Sequence, residues 1–142
     1  MSRLDLLDEQ VRSWLGEMGL DPGPRKDGLY LFKYGTTVVM LSLFSEGNET
    51  YCRFASIVLK DFQPNLELLQ RVLRLNTEVL FGSFLLFEDD TLSFSVTLLG
   101  NHLDEATFDK TLRYVAKVSD DWDDEMQRLG GGIRASDLIS AS

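Results

Sequence analysis

The sequence predicts an α+β fold in the order α-β-β-β-α-β-β-α, with an antiparallel five-stranded sheet packed with helices. Three observations carry this reading. Apolar residues recur at steps of three and four over 3–18, about 65–77 and about 104–129, which is the period of helices. Between the first two helices lie three runs rich in aromatic and β-branched residues, separated by Gly35 and by Glu46-Gly47-Asn48-Glu49. Between the last two, segments 81–87 and 92–98 flank the turn Glu88-Asp89-Asp90. Turns this short join neighbouring strands in antiparallel fashion.

The first helix presents Leu4, Leu7, Val11, Trp14, Leu15 and Met18 as one stripe, with Asp8, Glu9, Arg12 and Glu17 opposite. Gly19 and the run Asp21-Pro22-Gly23-Pro24 stop it. The strands are expected at 29–34, 36–44 and 51–59. In the first, Tyr30, Phe32 and Tyr34 share one face and Leu29 and Leu31 the other, so a sheet that is apolar on both faces needs two covers. Pro64 suits the first turn of the second helix. That helix carries Leu66, Leu69, Val72 and Leu73, broadened by Leu68 and Leu75, so packing on two sides is expected. In 92–98, Leu92, Phe94, Val96 and Leu98 alternate with Ser93, Ser95 and Thr97, the pattern of one buried and one wetter face.

Asp104 and Glu105 open the last helix, where negative charge suits the helix dipole. Phe108, Leu112, Val115, Ser119, Trp122, Met126 and Leu129 follow a heptad spacing with one polar member. A helix of that length spans roughly 39 Å, against about 24 Å for five strands. The excess predicts an overhang available for assembly, with Val115, Trp122 and Met126 as its candidate residues. Gly130-Gly131-Gly132 ends the helix. Residues 1–130 are read as one domain and 131–142 as a flexible tail.

Composition narrows the function classes. The chain has 142 residues, 14 Lys and Arg against 23 Asp and Glu, and a formal charge of −9. Such a surface repels phosphate backbones and anionic lipids, so neither nucleic acid nor membrane is an expected partner. Arg71 and Arg74 make no basic patch, because Glu67 and Glu78 flank them. No signal peptide is recognisable at the polar start Met1-Ser2-Arg3-Leu4-Asp5, and no apolar run approaches the ~20 residues of a membrane span, so a cytoplasmic protein is expected.

Candidate chemistry is sparse. Cys52 is the only cysteine and is expected to be a small buried hydrophobe. His102 is the only histidine, with no triad around it. Asp120-Asp121-Trp122-Asp123-Asp124-Glu125 lacks the alternation of a calcium loop and reads as a solvated helical face, with docking of a basic partner as the alternative. The glycine run follows a helix rather than opening one, so it is no phosphate loop. No catalytic, metal or cofactor residue is assigned.

Leu75-Asn76, Phe81-Gly82-Ser83-Phe84, Glu88-Asp89-Asp90 and the strand-to-helix passage 98–108 together resemble the YbjN-like family, within the fold of type III secretion chaperones. The resemblance covers about residues 3–128. It implies a commonly dimeric domain with peptide binding or regulation as its activity and no known chemistry; some members are described as sensory transduction regulators. Secretion chaperones wrap a disordered effector segment over apolar grooves. The expectation is therefore a non-enzymatic homodimer, chaperone-like or a regulatory adaptor, that binds a protein or peptide client. Tyr30, Phe32, Tyr34 and Phe44 are its candidate partner-binding residues. Its acidic surface would steer a basic client. The alternatives are a small-molecule-binding regulatory domain and a hydrolytic enzyme, the latter disfavoured by one His, one Cys and no nucleophile elbow.

Overall fold

The computed structural model describes residues 1–140; residues 141 and 142, part of the expected tail, lie outside the described residues. The elements are α1 (Arg3–Glu17), β1 (Leu29–Tyr34), β2 (Thr37–Glu46), β3 (Glu49–Lys60), α2 (Leu66–Leu75), β4 (Ser83–Leu86), β5 (Leu92–Leu99), α3 (Glu105–Gly130), β6 (Ile133–Arg134) and α4 (Ala135–Ser140). Each long helix opens on a side-chain cap that satisfies amide groups otherwise left without partners. Ser2 and Asp5 form a reciprocal capping box on α1. Asn65 accepts from the Leu68 amide at 2.9 Å on α2, and Asp104 from the Thr107 amide at 2.8 Å on α3.

All strands pair antiparallel in the order β1-β2-β3-β5-β4, and β6 pairs with β3. The helices collect on one face. There Tyr30, Phe32, Val39, Leu41, Leu43, Cys52, Phe54, Phe94 and Val96 are buried under Leu7, Val11 and Leu15 of α1 and Phe108, Leu112 and Val115 of α3. The rings of Trp14 and Phe108 are centred 5.3 Å apart, and those of Phe108 and Phe54 5.2 Å apart. This aromatic row ties α1, α3 and the central strand together.

Two polar residues lock α3 onto β3. The register of β3 against β5 slips between Ile57 and Leu59. A bulge of this kind loosens the ladder and leaves carbonyls short of partners. Ser119 Oγ donates to the Ile57 carbonyl at 2.7 Å, and Ser56 Oγ donates to the Val115 carbonyl at 2.7 Å. The polar member of the heptad is therefore a staple to the sheet.

Three expectations are corrected. First, Tyr30 and Phe32 are core residues, at 0% and 7% exposure, while Leu31 on the opposite face is 57% exposed. Tyr30 donates its hydroxyl to Asp8 of α1, and burial, with that bond second, pushes its pKa up to about 12. Tyr34 packs half-buried against the same core. Second, Val115 and Met126 are fully buried within the chain, and Trp122 is half-buried with the Arg71 guanidinium 5.2 Å from its ring centre. A straight α-helix drifts about 20° per heptad away from a strict seven-residue repeat. Two heptads after Phe108 the buried line has accordingly moved from Trp122 to Asp123, and then from Leu129 to Gly130.

Third, residues 131–140 are folded rather than a mobile tail. β6 pairs Ile133 with Lys60 and Arg134 with Leu59. Ala135 is buried, and Gln127 Nε2 donates to the Gly132 carbonyl at 3.1 Å and to Asp137 at 3.2 Å. Arg134 pairs with Asp124 and with Asp137. On another side, Asn65 Nδ2 donates to the Leu129 carbonyl at 2.9 Å. These contacts cover the length of α3 that exceeds the sheet.

Candidate functional site

Among the described residues no helix lies over the second face of the sheet. The strand registers place its residues in rows across β1, β2, β3 and β5. One row is Phe44–Tyr51–Leu99, the next Leu29–Ser42–Arg53–Thr97, then Leu31–Met40–Ala55–Ser95, with the pairs Lys33–Val38 and Ile57–Ser93 beyond them. Leu31 and Leu99 are more than half exposed. Phe44 stacks on Tyr51 with ring centres 5.3 Å apart. The Arg53 guanidinium sits 5.1 Å from the Phe44 ring centre, held by its Nε donating to Thr97 Oγ1 at 3.0 Å. Of the four residues singled out from the sequence, the structure leaves only Phe44 on this open face; Tyr30, Phe32 and Tyr34 point to the other.

At one end of the open face a groove of about 580 Å³ is lined by Met40, Ile57, Lys60, Phe87, Glu88, Asp89 and Thr91. The Thr91 and Ser93 hydroxyls are buried without hydrogen-bond partners among the described residues. Sequence reasoning missed this floor. Its signal was the Ser93-Ser95 alternation, which marked a wetter face, whereas small side chains there lie sunk between larger neighbours.

A second apolar surface follows α2. Leu66 and Leu73 are 71% and 70% exposed, and Leu80 in the following turn is 87% exposed. Phe81 stacks on Tyr114 of α3 with ring centres 4.4 Å apart. Asn76 Oδ1 accepts from the Phe84 amide at 2.7 Å, fixing this turn to edge strand β4. α2 is therefore covered on one side only, not on two as its sequence suggested.

The acidic run is largely consumed within the chain. Asp120 accepts from Thr36 Oγ1 at 3.0 Å, Asp121 pairs with Lys117 at 2.6 Å, Asp124 with Arg134, and Glu125 with Arg71 at 3.3 Å. Asp123 is buried, and burial first, then the charges of Asp124 and Asp120, push its carboxyl up to about 6. The folded state thus binds this proton more tightly than the unfolded chain. The associated stability is present below about pH 4 and is lost as pH rises through about 6. Asp123→Asn is expected to raise the unfolding free energy by about 1–2 kcal/mol at pH 8, the carboxylate keeping part of its hydration. At pH 4 the variant and parent should unfold alike. Equal stabilities at pH 8 would show that Asp123 is comfortably solvated.

Among the described residues no group of three His, Cys, Asp or Glu could hold a metal ion, and no helix is long and apolar enough to cross a membrane. Cys52 is fully buried, which pushes its thiol pKa far up. His102 lines a shallow depression of about 360 Å³ with Arg3, Leu6, Gln10 and Asn101. Thr50, also there, gives its hydroxyl to Asn101 Oδ1 at 2.6 Å.

A sequence profile described as T3SS (YopN, CesT) and YbjN peptide-binding chaperone 1 matches residues 5–138. The chain belongs to this family. Two solved structures extend the likeness to the fold. A chain in the crystal structure of the ExsC–ExsE complex superposes with a TM-score of 0.71 at 15% identity, over 87% of this chain and 95% of that one. A chain in the Yersinia pestis structure of the type III secretion chaperone SycH in complex with a stable fragment of YscM2 gives 0.59 at 15% identity, over 80% and 96%. No curated protein is matched by sequence. The match includes β6 and most of α4, so the peptide-binding chaperone family pattern extends through the C-terminal closure.

Proposed function

We propose that this member of the family is a non-enzymatic chaperone or adaptor that captures an extended segment of a protein client on the open sheet face. The observation that carries the reading is that face itself. Leu31, Val38, Met40, Phe44, Tyr51 and Leu99 share it with the buried Ile57, and among the described residues no helix covers it. Partly exposed apolar side chains left uncovered on a sheet support an interaction site, and a strand surface suits an extended chain whose alternate side chains point inward. The half-covered α2, with Leu66, Leu73 and Leu80 outward, supports pairing of two copies through that helix, since a symmetric dimer buries the same patch twice. The net charge of −9 favours basic clients. In this reading the protein works in the cytoplasm.

The test is retention of extended peptides on a spotted array by the wild-type protein and by Leu31→Glu. Leu31 is exposed, so the variant should melt as the parent does while losing roughly tenfold or more in affinity. Unchanged retention would remove the open face as the binding surface. If no peptide is held and native mass spectrometry shows a co-purified metabolite, the small-molecule regulatory reading replaces this one. Sedimentation of the same samples reads the pairing, and a monomer at all concentrations would end the homodimer part.

A further inference from the structure

We propose that the groove beside the β4–β5 turn selects client segments in which an apolar side chain is followed, two residues later, by a basic one. This rests on the peptide-binding reading and names the chemistry that would make it selective. The walls of the groove are Met40, Ile57 and Phe87, which offer an apolar seat. Its outer rim is the turn Glu88-Asp89-Asp90. The turn is fixed rather than loose: the Phe87 amide donates to the Thr91 carbonyl at 2.9 Å, and the Asp90 amide to the Phe87 carbonyl at 3.1 Å, with Asp90 at φ 58°. Three carboxylates therefore project from a rigid tip. Unlike those of α3, none takes an ion-pair partner among the described residues. Lys60 on the groove's other side is the single opposing charge there, so the groove is negative on balance and a cation is the complementary occupant of its rim.

The second, independent observation lies on the floor. Thr91 is 4% exposed, lines the groove, and has no partner for Oγ1; Ser93, two residues on and on the same face, is in the same state at 0% exposure. A buried hydroxyl without a partner is disfavoured unless something supplies one. The backbone of an extended segment brings amides and carbonyls at strand spacing, and it can meet Thr91 Oγ1 while its apolar side chain occupies the Met40–Ile57–Phe87 seat. The next inward side chain, two residues on, then brings a basic head to Glu88 and Asp89. An apolar ligand alone would leave both the hydroxyl and the carboxylates unanswered.

Three fluorescein-labelled extended peptides, identical except for Arg, Ala or Glu two residues after a single Leu anchor, test this by fluorescence anisotropy. Wild type should prefer Arg over Glu by about tenfold, and more weakly as salt rises. Glu88→Lys with Asp89→Lys, on an exposed turn, should invert the order. Thr91→Val should weaken all three peptides by roughly fivefold while raising the melting temperature of the free protein, a combination that a purely structural threonine would not give. Equal affinity of the three peptides for wild type, or an order indifferent to the charge reversal, overturns this inference and leaves peptide binding standing. Failure of wild type to bind any of them, nor any peptide on the array, removes the peptide-binding reading itself and this inference with it.

Discussion

Phe54→Ala is expected to destabilise the domain by about 3–5 kcal/mol, the range for emptying an aromatic site in a packed core. Phe54 is fully buried near the middle of β3, the strand that pairs with β2, β5 and β6. Its ring meets Phe108 of α3, which meets Trp14 of α1. Truncation therefore removes the contact through which the sheet grips both long helices, and rigid strands on either side limit how far the space can collapse. Typical domains hold only about 5–15 kcal/mol in all, so the loss takes a third or more. Urea denaturation followed by far-ultraviolet circular dichroism measures it. A loss below about 1.5 kcal/mol would mean that the Phe54–Phe108 junction is loosely packed.

Gly82→Ala is the second large effect, at about 2–4 kcal/mol. Gly82 stands at φ 84°, where a side chain is strained by about 1–2 kcal/mol. A Cβ built there falls 2.6 Å from the Ser95 carbonyl oxygen, 2.6 Å from Val96 Cγ2 and 2.9 Å from Phe94 Cζ. Two of those are a backbone atom and a ring of the central sheet, so the new methyl must push β4 off β5, adding an overpacking cost of about 1–3 kcal/mol. Gly35→Ala is the control, since Gly35 has φ 61° and open space around it. It bears the conformational cost alone. Thermal melts of the two variants should differ clearly, and equal melting temperatures would mean that the turn before β4 is not seated as described.

The element order was readable because periodicity and stop signals act locally: the Gly19 stop, the acidic opening Asp104-Glu105 and the alternation of Leu92 to Leu98 each need only near neighbours. Which face of β1 turns inward is not a local matter. Aromatics on one side and leucines on the other satisfy the same alternation, and Lys33, on the Leu31 face, was the one residue whose charge pointed to the solvent side. The strict heptad on α3 was misleading for a geometric reason. Such a repeat stays in line only if the helix supercoils around a partner, whereas α3 packs on a sheet and brings Asp123 inside. β6 escaped notice because two residues after a glycine run carry no period, and their pairing with Leu59 and Lys60 is fixed by tertiary structure. The candidate site was legible only at Phe44. Its floor depends on Thr91 being sunk among larger neighbours from other strands, which no single segment displays.

The pairing of β6 with β3 has a consequence for how the protein is made. Leu59 and Lys60 emerge from the ribosome long before Ile133 and Arg134, their edge partners. Through that interval the end of the central strand has an unpaired border beside the bulge, and the place later filled by Ala135 stands open. Association between nascent copies, or with a holding factor, is a hazard of unpaired strand borders. That border is closed only once β6 has been made and pairs with β3, so the stretch of chain between Lys60 and Ile133 sets how long it stays open.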